Sequence, residues 1–374
     1  MRFVLAPDKF KGSITGLQFC EAVEDGIRTV ISDVDVIKLP LADGGDGTIE
    51  VVNYYLKGEP IQVQVNNPFF QPVTASYLYA EKTNTAFIEM AEASGLKILK
   101  PDEFDCKNAT SLGTGELIRD AMERGANKIL LGIGGSATND CGMGMAMALG
   151  YRFLDKSNNE LKPIGANLFL VNKVDSSHVD SKLHTINFKI ACDVTNPLYG
   201  EYGAAKVYAK QKGATLDEVK MLDHGLQQFS RVLKRQFNVD VQSIEGAGAA
   251  GGMGVASKVF LNGTLQSGIE LIKDLACFDE SIKDADWIIT GEGKLDLQTL
   301  SGKTIQGVRT SANSKQIKLA AFCGVVELNR MATKHLGIHY TDAVMNYAKN
   351  LDDAMENTYY YIKQMASEFA KKVF

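Results

Sequence analysis

The fold is decided by a stretch near the N-terminus that reads VDVIKLPLADGGDGT at residues 34–48. Its first half is rich in Val, Ile and Leu, which favours a buried strand, and an acidic glycine loop follows at residues 42–47. Residues 3–6 form a similar apolar run, which also ends in a polar loop. Short apolar runs of this kind, alternating with helical patterns, indicate parallel β-α-β construction.

The same alternation returns near the C-terminus, where further strands are predicted at residues 287–290, 318–323 and 342–347. Two early and three late strands are enough for a flavodoxin-like sheet with the first strand near its middle. The segment between the two halves has a different hydropathy pattern. There, alternating apolar and polar residues indicate an antiparallel or mixed sheet at residues 61–65, 73–79 and 85–90.

The sequence therefore predicts an α/β protein of two domains. A discontinuous Rossmann/flavodoxin-like doubly wound domain is expected at residues 1–57 and 284–374. A second α/β domain, with a mixed sheet, is expected as an insertion at residues 58–283. The length of 374 residues supports this division, because it exceeds what one ordinary hydrophobic core accommodates.

Composition and charge narrow the class of protein. A net charge of −5 offers no basic footprint for nucleic acid or an anionic membrane. The apolar runs are strand-length, far short of the roughly 20 residues that a membrane span needs, and the N-terminus does not resemble a signal peptide. The six cysteines form no Cys-x-x-Cys pair, which indicates reduced thiols. We expect a cytoplasmic protein, monomeric or homodimeric, that binds neither nucleic acid nor membrane.

Charged side chains collect at three predicted strand ends of the outer domain. In open parallel sheets, ligands bind beyond the carboxyl ends of the strands. The three loops there carry Asp8, Lys9 and Lys11; Asp43 and Asp46; and Glu292, Lys294 and Asp296. A single loop of this kind is more often only solvated. Three loops with the same chemistry at one edge favour a binding site.

Two glycine-rich patches stand out in the inserted domain. The first, at residues 132–144, follows a predicted strand and leads into a helical run. Such a passage exposes unpaired backbone N–H groups and is a ready anion site, to which nearby hydroxyl and amide side chains would add donors. The candidate ligand-binding residues of this patch are Gly134, Gly135, Ser136, Thr138 and Asn139. The alternative is tight packing of helix on strand without a ligand.

The second patch fits G-x-G-x-x-G literally at residues 246–251. Its context is poor for a dinucleotide site, because residues 239–245 make a weak strand and the nearest suitable acid, Glu270, lies in a helical pattern. Ser301-Gly302-Lys303-Thr304 resembles the end of a P-loop, but position 297 is Leu where that motif needs its first glycine. A Walker A motif is therefore excluded.

The remaining chemistry points to phosphoryl transfer. The five histidines form no zinc motif, and there is no G-x-S-x-G to support a hydrolytic triad. Glycine cradles, lysines and separate aspartates are the parts that phosphoryl transfer uses, together with Mg²⁺ held by carboxylates. An acidic residue that positions the attacking hydroxyl completes the set.

Nine segments allow a closer comparison: APDKFKGS (6–13), PLADGGDGT (40–48), EMAEASGL (89–96), GTGELI (113–118), GIGGSATND (132–140), ACDVTNPL (191–198), QKGA (211–214), GAGAAGGMG (246–254) and TGEGKLD (290–296). In these segments, and in their order, the chain resembles the bacterial type-1 glycerate kinase family over nearly its whole length. The resemblance implies a Rossmann-like domain with a second α/β domain inserted. It also implies ATP-dependent phosphorylation of D-glycerate, which in bacterial members of this type generally gives 2-phosphoglycerate.

We assign roles to the candidate residues as hypotheses, with the active site expected in the cleft between the domains. The expected catalytic residues are Asp43, which would deprotonate the glycerate hydroxyl, Lys11 and Asp193. Lys294 and the cradle at residues 134–139 would bind ATP or the glycerate carboxylate, and the metal candidates for Mg²⁺ are Asp46, Glu292 and Asp296. Lys11 is preferred to Lys9, because many relatives have Ser in place of Lys9. For Asp193, burial at a strand end is an equally good structural explanation.

Two other classes of function stay open at this stage. One is an NAD(P)-dependent oxidoreductase of a small hydroxy acid, built on the glycines at residues 246–251. The other is a non-catalytic sugar-acid sensor. Phosphorylation of the 3-hydroxyl of glycerate, rather than the 2-hydroxyl, is the less favoured version of the kinase reaction.

Overall fold

The computed structural model describes residues 1–44, 47–296 and 304–374. The chain divides into two compact units, one made of Met1–Tyr55 with Gly268–Phe374 and the other of Leu56–Ser267. The predicted α/β class, with one parallel and one mixed sheet, is confirmed. The domain limits predicted from the sequence, after residues 57 and 283, stay predictions.

The described residues form both strands and helices along the whole chain. The strands are β1 (Arg2–Leu5), β2 (Asp35–Lys38), β3 (Glu59–Asn66), β4 (Pro72–Ala80), β5 (Thr85–Glu89), β6 (Lys128–Gly132), β7 (Arg152–Leu154), β8 (Lys173–Asp175), β9 (Asn187–Ala191), β10 (Thr264–Gln266), β11 (Trp287–Thr290), β12 (Lys294–Leu295), β13 (Lys318–Cys323), β14 (Val325–Val326) and β15 (Tyr340–Ala343). The helices are α1 (Gly16–Arg28), α2 (Thr48–Leu56), α3 (Ala91–Ser94), α4 (Leu112–Glu123), α5 (Met143–Ala148), α6 (Leu216–Phe237), α7 (Ala249–Phe260), α8 (Gly268–Leu275), α9 (Phe278–Ser281), α10 (Thr304–Ser314), α11 (Arg330–His335), α12 (Leu351–Glu356) and α13 (Thr358–Val373).

The first unit is built on a five-stranded parallel sheet with the order β2-β1-β11-β13-β15. Counted within the unit, this is the order 2-1-3-4-5 of flavodoxin-like sheets. The sheet therefore places the carboxyl ends of β2, β1 and β11 side by side. This is the edge at which the sequence predicts a convergence of charged loops.

Helices α1 and α13 bury one face of this sheet. Helix α1 is amphipathic, with Phe19, Val23 and Ile27 fully buried at a spacing of four residues. A Cβ on Gly26 would lie 2.2 Å from the backbone oxygen of Lys363, so only glycine permits this close approach of the two helices. The helix begins one residue after Thr15, whose side chain caps it together with Gln18.

The second unit is built on a six-stranded mixed sheet with the order β10-β9-β6-β5-β4-β3. Strands β3, β4 and β5 pair antiparallel, and β5, β6, β9 and β10 pair parallel. The turn between β3 and β4 is held by Asn67, whose side-chain oxygen accepts from the amides of Phe69 and Gln71. The parallel half of the sheet carries the candidate ligand loops at its carboxyl edge.

Helix α6 provides the longest apolar face of the second unit. Thr215 and Glu218 form a capping box at its start. The buried stripe Leu222, Leu226, Phe229 and Leu233 follows the spacing of an amphipathic helix, so it packs on the core.

All six cysteines are free, as the sequence predicts, and four of them are buried. No helix within the described ranges has the length and the apolar character that crossing a membrane requires.

Candidate active site

The first glycine patch forms an open loop at the carboxyl edge of the second unit. Strand β6 ends at Gly132 and helix α5 begins at Met143, so the strand–loop–helix passage expected from the sequence is present. Gly134 and Gly135 are exposed, and a Cβ on Gly134 would meet no atom within 4 Å. The rest of the loop turns inward, because Ser136 is only 4% exposed and the residues that follow are buried.

Three successive amides of this loop are left as donors. Over residues 1–44, 47–296 and 304–374, the N–H groups of Gly134, Gly135 and Ser136 donate to no oxygen. The loop is held by neighbouring bonds: the amide of Leu96 donates to the oxygen of Gly135 at 2.9 Å, and the amide of Ala137 to that of Ser94, also at 2.9 Å. Gly135 has a φ of +70°, and amides that converge around such a left-handed residue form an anion-binding concavity. We call these three amides the amide cradle.

A buried lysine lies behind the amide cradle. The Lys212 ammonium donates to Ser136 Oγ at 2.6 Å and to the backbone oxygen of Thr138 at 2.9 Å. The side chain is buried, and desolvation lowers its pKa to about 8. No sequence motif marks Lys212 as a site residue. The one signal was its place in the segment QKGA, and its contact with Ser136 spans 76 residues of chain.

Two further polar atoms beside the cradle lack a partner. Thr138 Oγ1 and Asn139 Nδ2 are buried and form no hydrogen bond with any residue that the structure describes. A buried polar group of this kind costs about 1–3 kcal/mol if it stays unpaired. Such a cost is tolerated where a ligand supplies the missing partner, so both atoms fit the predicted role of this loop.

Asp140 has a structural role in the same loop. Its carboxylate accepts from the amide and hydroxyl of Ser111 at 2.8 and 2.7 Å, and from the amides of Gly142 and Gly144, both at 3.1 Å. Complete burial raises its pKa, although these hydrogen bonds act in the opposite direction. Both carboxylate oxygens are occupied, so Asp140 fixes the loop onto the start of helix α4.

The second glycine patch packs against protein backbone. A Cβ on Gly251 would lie 2.2 Å from the oxygen of Thr138, and a Cβ on Gly248 would lie 2.2 Å from the oxygen of Pro197. The amide of Cys141 donates to the oxygen of Gly251 at 3.0 Å. These glycines therefore allow two loops to touch, and they leave no approach for a dinucleotide. The weak strand expected before the patch is replaced by a short 3₁₀ turn, Val241–Ser243.

Asp193 lies at the same sheet edge as the amide cradle. It follows strand β9, which pairs with β6 up to Gly132 and Ala191. Asp193 is exposed, so the alternative that it is a buried structural residue is wrong. The segment after it is anchored by Asn196, which accepts from Tyr208 Oη at 2.6 Å.

In the first unit, three strand ends meet around Asp8. The amide of Asp8 donates to the oxygen of Gly291 at 2.8 Å, which joins the loops after β1 and β11. The carboxylate of Asp8 accepts from Thr304 Oγ1 at 2.5 Å and from the amide of Lys9 at 2.7 Å. Burial, with a smaller contribution from the nearby charge of Asp43, raises the pKa of Asp8 to about 6. The sequence pattern predicts Asp8 at this edge but no role for it.

The remaining candidates of the first unit are spread along the same edge. Lys11 is exposed in the turn before α1. The Lys294 ammonium pairs with Glu327 at 2.9 Å and with Asp296 at 3.4 Å, and the hydrogen bond that it donates to Glu327 raises its pKa. Glu292 is buried at the end of β11. Asp46 lies outside the described residues.

No group of three His, Cys, Asp or Glu residues that could hold an ion occurs in the part of the chain that the structure covers. Two pairs of carboxylates nevertheless lie near each other. Asp43 is near enough to Asp8 for its charge to raise the pKa of Asp8, and Glu292 and Asp296 lie on one short loop.

The comparisons with known proteins agree with one another. The model of the glycerate kinase family matches residues 3–373. Glycerate kinase of Bacillus subtilis is 38% identical, with 100% of this chain and 98% of the relative covered. Glycerate 2-kinase of Escherichia coli is 39% identical, with 96% and 94% covered. The crystal structure of a candidate glycerate kinase 2 from Salmonella typhimurium LT2 is 38% identical, with a TM-score of 0.88 over 100% of this chain and 98% of that one.

Fold and site define an α/β phosphotransferase that acts on a small molecule, and these matches give its family. The chain belongs to the glycerate kinase family and is a kinase of that class. The resemblance seen in the nine sequence segments is thereby confirmed. A nucleotide is among its substrates, as the family implies.

Proposed function

We propose that the protein transfers the terminal phosphoryl group of ATP to D-glycerate, with Mg²⁺, and that the product is 2-phosphoglycerate. The observation that carries this proposal is the amide cradle at Gly134, Gly135 and Ser136, with the buried Lys212 ammonium behind it. Fixed donors of this kind stabilise phosphate oxygens and need no reorganisation during the reaction. The choice of the 2-hydroxyl is supported by the name of the Escherichia coli relative, glycerate 2-kinase.

In this proposal, the loop of the second unit binds phosphate. The cradle amides, the Ser136 hydroxyl and the side chains of Thr138 and Asn139 would donate hydrogen bonds to the ATP phosphates. Asp193, exposed at the same edge, would bind a hydroxyl of the substrate or a metal ion. The donors come from backbone and from buried side chains, so their geometry is set before the nucleotide binds.

The acidic edge of the first unit would handle the proton of the glycerate hydroxyl. We propose Asp43 as the residue that orients and deprotonates this hydroxyl, with Lys11 neutralising charge on the transferred group. Asp8 lies near enough to Asp43 for the charge of Asp43 to contribute to the raised pKa of Asp8.

The proposed metal site uses carboxylates of the same edge. Carboxylate oxygens are the protein ligands that Mg²⁺ prefers, and Glu292 and Asp296 supply them on one loop; Asp46 is the third proposed ligand. When bound, Mg²⁺ would neutralise charge on the phosphates of ATP. Lys294, which pairs with Asp296, would contact the same phosphates.

Phosphorus NMR of the products formed from ATP and D-glycerate tests the proposal directly. We expect ADP and 2-phosphoglycerate, whose resonance is distinct from that of 3-phosphoglycerate. Formation of the 3-isomer would correct the regiochemistry, and the absence of any phosphoglycerate would contradict the proposal.

Thermal unfolding with ligands separates the other two classes of function. A kinase is stabilised by ATP and Mg²⁺, an oxidoreductase by NAD(P), and a sensor by the acid alone. We expect stabilisation by the nucleotide, and no effect of NAD(P), because the glycines at residues 246–251 contact protein backbone.

A further inference from the structure

Lys212 is a buried cation whose direct partners are all neutral. Its ammonium contacts a serine hydroxyl and a backbone carbonyl, and it forms no ion pair within the described ranges of the chain. The titratable groups that act on it from neighbouring segments are the Cys106 thiol and the Asp140 carboxylate, and this carboxylate accepts four hydrogen bonds. A buried charge is normally paired, so the site is electrostatically incomplete without an anion.

The contact between Lys212 and Ser136 also fixes the direction of the serine hydroxyl. An ammonium group has three donors and no acceptor, so the hydrogen bond must run from Lys212 Nζ to Ser136 Oγ. The hydroxyl therefore uses a lone pair for Lys212 and keeps its own hydrogen for another acceptor. It becomes a fourth donor beside the three unpaired amides of the cradle.

We propose that Lys212 is a positioning residue for an oxyanion of the substrates: it turns the Ser136 hydroxyl outward as a donor and gives the amide cradle its positive potential. This inference rests on the proposed function and adds to it a residue that none of the sequence motifs assigned. The oxyanion is either a phosphate of ATP or the carboxylate of glycerate, and the same chemistry would recognise both. The ammonium acts through Ser136 and the backbone, because it is itself buried.

Two variants separate the charge from the hydroxyl that it orients. Lys212→Met removes the charge and keeps a long unbranched side chain, whereas Ser136→Ala removes only the hydroxyl. Lys220→Met is the matched control, because Lys220 lies in the same unit, is exposed and pairs with Asp217. Each variant is assayed for the KM of ATP and of D-glycerate separately, and for thermal stabilisation by a non-hydrolysable ATP analogue, by D-glycerate and by inorganic phosphate.

We expect Lys212→Met to weaken binding of one of the two substrates by about 10- to 100-fold, the usual value of a charge-assisted contact. Ser136→Ala should weaken binding of the same substrate by about tenfold, and Lys220→Met should change neither. A selective rise in the KM for ATP, with loss of stabilisation by the analogue, identifies the oxyanion as phosphate. A selective rise in the KM for glycerate identifies it as the carboxylate.

The pH profile distinguishes this role from a merely structural one. In the wild type, kcat/KM for the affected substrate should fall as the pH rises above about 8, where Lys212 loses its proton in the free enzyme. Ser136→Ala should keep this alkaline limb, because it keeps the ammonium, and Lys212→Met should lose it. Loss of a structural hydrogen bond would lower activity at every pH alike.

The proposal is overturned if Lys212→Met is folded and binds both substrates normally, or if its alkaline limb equals that of the wild type. If Lys212→Met does not fold, the outcome depends on Ser136→Ala and on the wild type. The proposal is also overturned if Ser136→Ala binds both substrates normally, or if kcat/KM of the wild type does not change between pH 7 and about 9.5. The binding arms with the analogue, glycerate and phosphate need no turnover, so failure of the kinase reaction itself would be seen separately by phosphorus NMR.

Discussion

The carboxyl edges of the two sheets have opposite chemistry. The edge of the second unit presents donors: the amide cradle, the Ser136 hydroxyl and the Lys212 ammonium. The edge of the first unit presents carboxylates, with Asp8 and Asp43 close enough to influence each other. Burial nevertheless favours the neutral form at both edges, because it disfavours charge of either sign. It lowers the pKa of Lys212 to about 8 and raises the pKa of Asp8 to about 6. In the proposed function, the edge of the second unit would bind phosphate, and the edge of the first unit would supply the proton and metal chemistry.

The most severe test of this contrast is Asp43→Asn. If the first unit supplies the base, kcat should fall by about 10²- to 10⁴-fold, with little change in the KM for ATP or in the melting temperature. Steady-state kinetics and thermal unfolding measure these effects. Asp33→Asn is the control, because Asp33 is an exposed carboxylate of the same unit. Near-normal turnover in a folded Asp43→Asn enzyme would move the role of base to another residue, with Asp8 the first to examine.

Lys11→Met tests whether the acidic edge needs a cation of its own. We expect kcat/KM to fall by about 10²- to 10³-fold, because a positioned charge that contacts the transferred group supplies several kcal/mol of stabilisation. Initial rates at varied ATP and glycerate give the effect, and Lys371→Met, in an exposed pair with Glu368, is the control. A mild loss would mean that the cations of the second unit carry phosphate binding alone.

Gly251→Ala and Gly134→Ala sharpen the distinction between a glycine that packs and a glycine that faces a ligand. The new Cβ at Gly251 would clash at 2.2 Å with the oxygen of Thr138, and its φ of +69° is strained for alanine. We expect Gly251→Ala to lower the free energy of unfolding by about 3–5 kcal/mol. Gly134→Ala should change it by less than about 1 kcal/mol, because nothing lies near its Cβ. Denaturant unfolding measures both, and equal losses would contradict the distinction.

The pH dependence of stability gives the smallest expected effect, from Asp8. Its pKa is raised from 3.8 to about 6 in the folded protein, so between these values the folded state holds more protons than the unfolded state. The free energy of unfolding should therefore fall as the pH rises from about 4 to 6, by roughly 2–3 kcal/mol from this group. Asp8→Asn should remove this part of the slope when unfolding is followed by denaturant at each pH. An unchanged slope in the variant would mean that other carboxylates account for it.

Local sequence determined much of the fold. Strands β11 and β13 have the predicted bounds, because each is an apolar run that a glycine follows directly. The last strand of the first unit is less well predicted: it covers Tyr340–Ala343 instead of residues 342–347, and Val344–Asn346 forms a 3₁₀ turn. Asp342 causes this shift, since its carboxylate accepts from the amides and hydroxyls of the residues that follow it.

The two glycine patches show what only the tertiary structure decided. In sequence, both resemble ligand loops, and the second even fits a dinucleotide motif. In the fold, Gly134 faces open space, whereas Gly251 touches the backbone at Thr138, more than a hundred residues earlier in the chain. The role of a glycine depends on what lies opposite its missing side chain, and that neighbour comes from a distant segment.

By itself, the sequence determined the class of fold, the family and the loops in which the chemistry lies, because apolar patterning and family segments are local. The tertiary structure alone brought Lys212 behind Ser136 and Thr304 onto Asp8, over 76 and 296 residues of chain. Burial and charge pairing depend on such distant contacts, and together they decide which lysine and which aspartate have an unusual pKa. The chemistry of each edge is therefore encoded in short loops, but its electrostatics are a property of the folded chain.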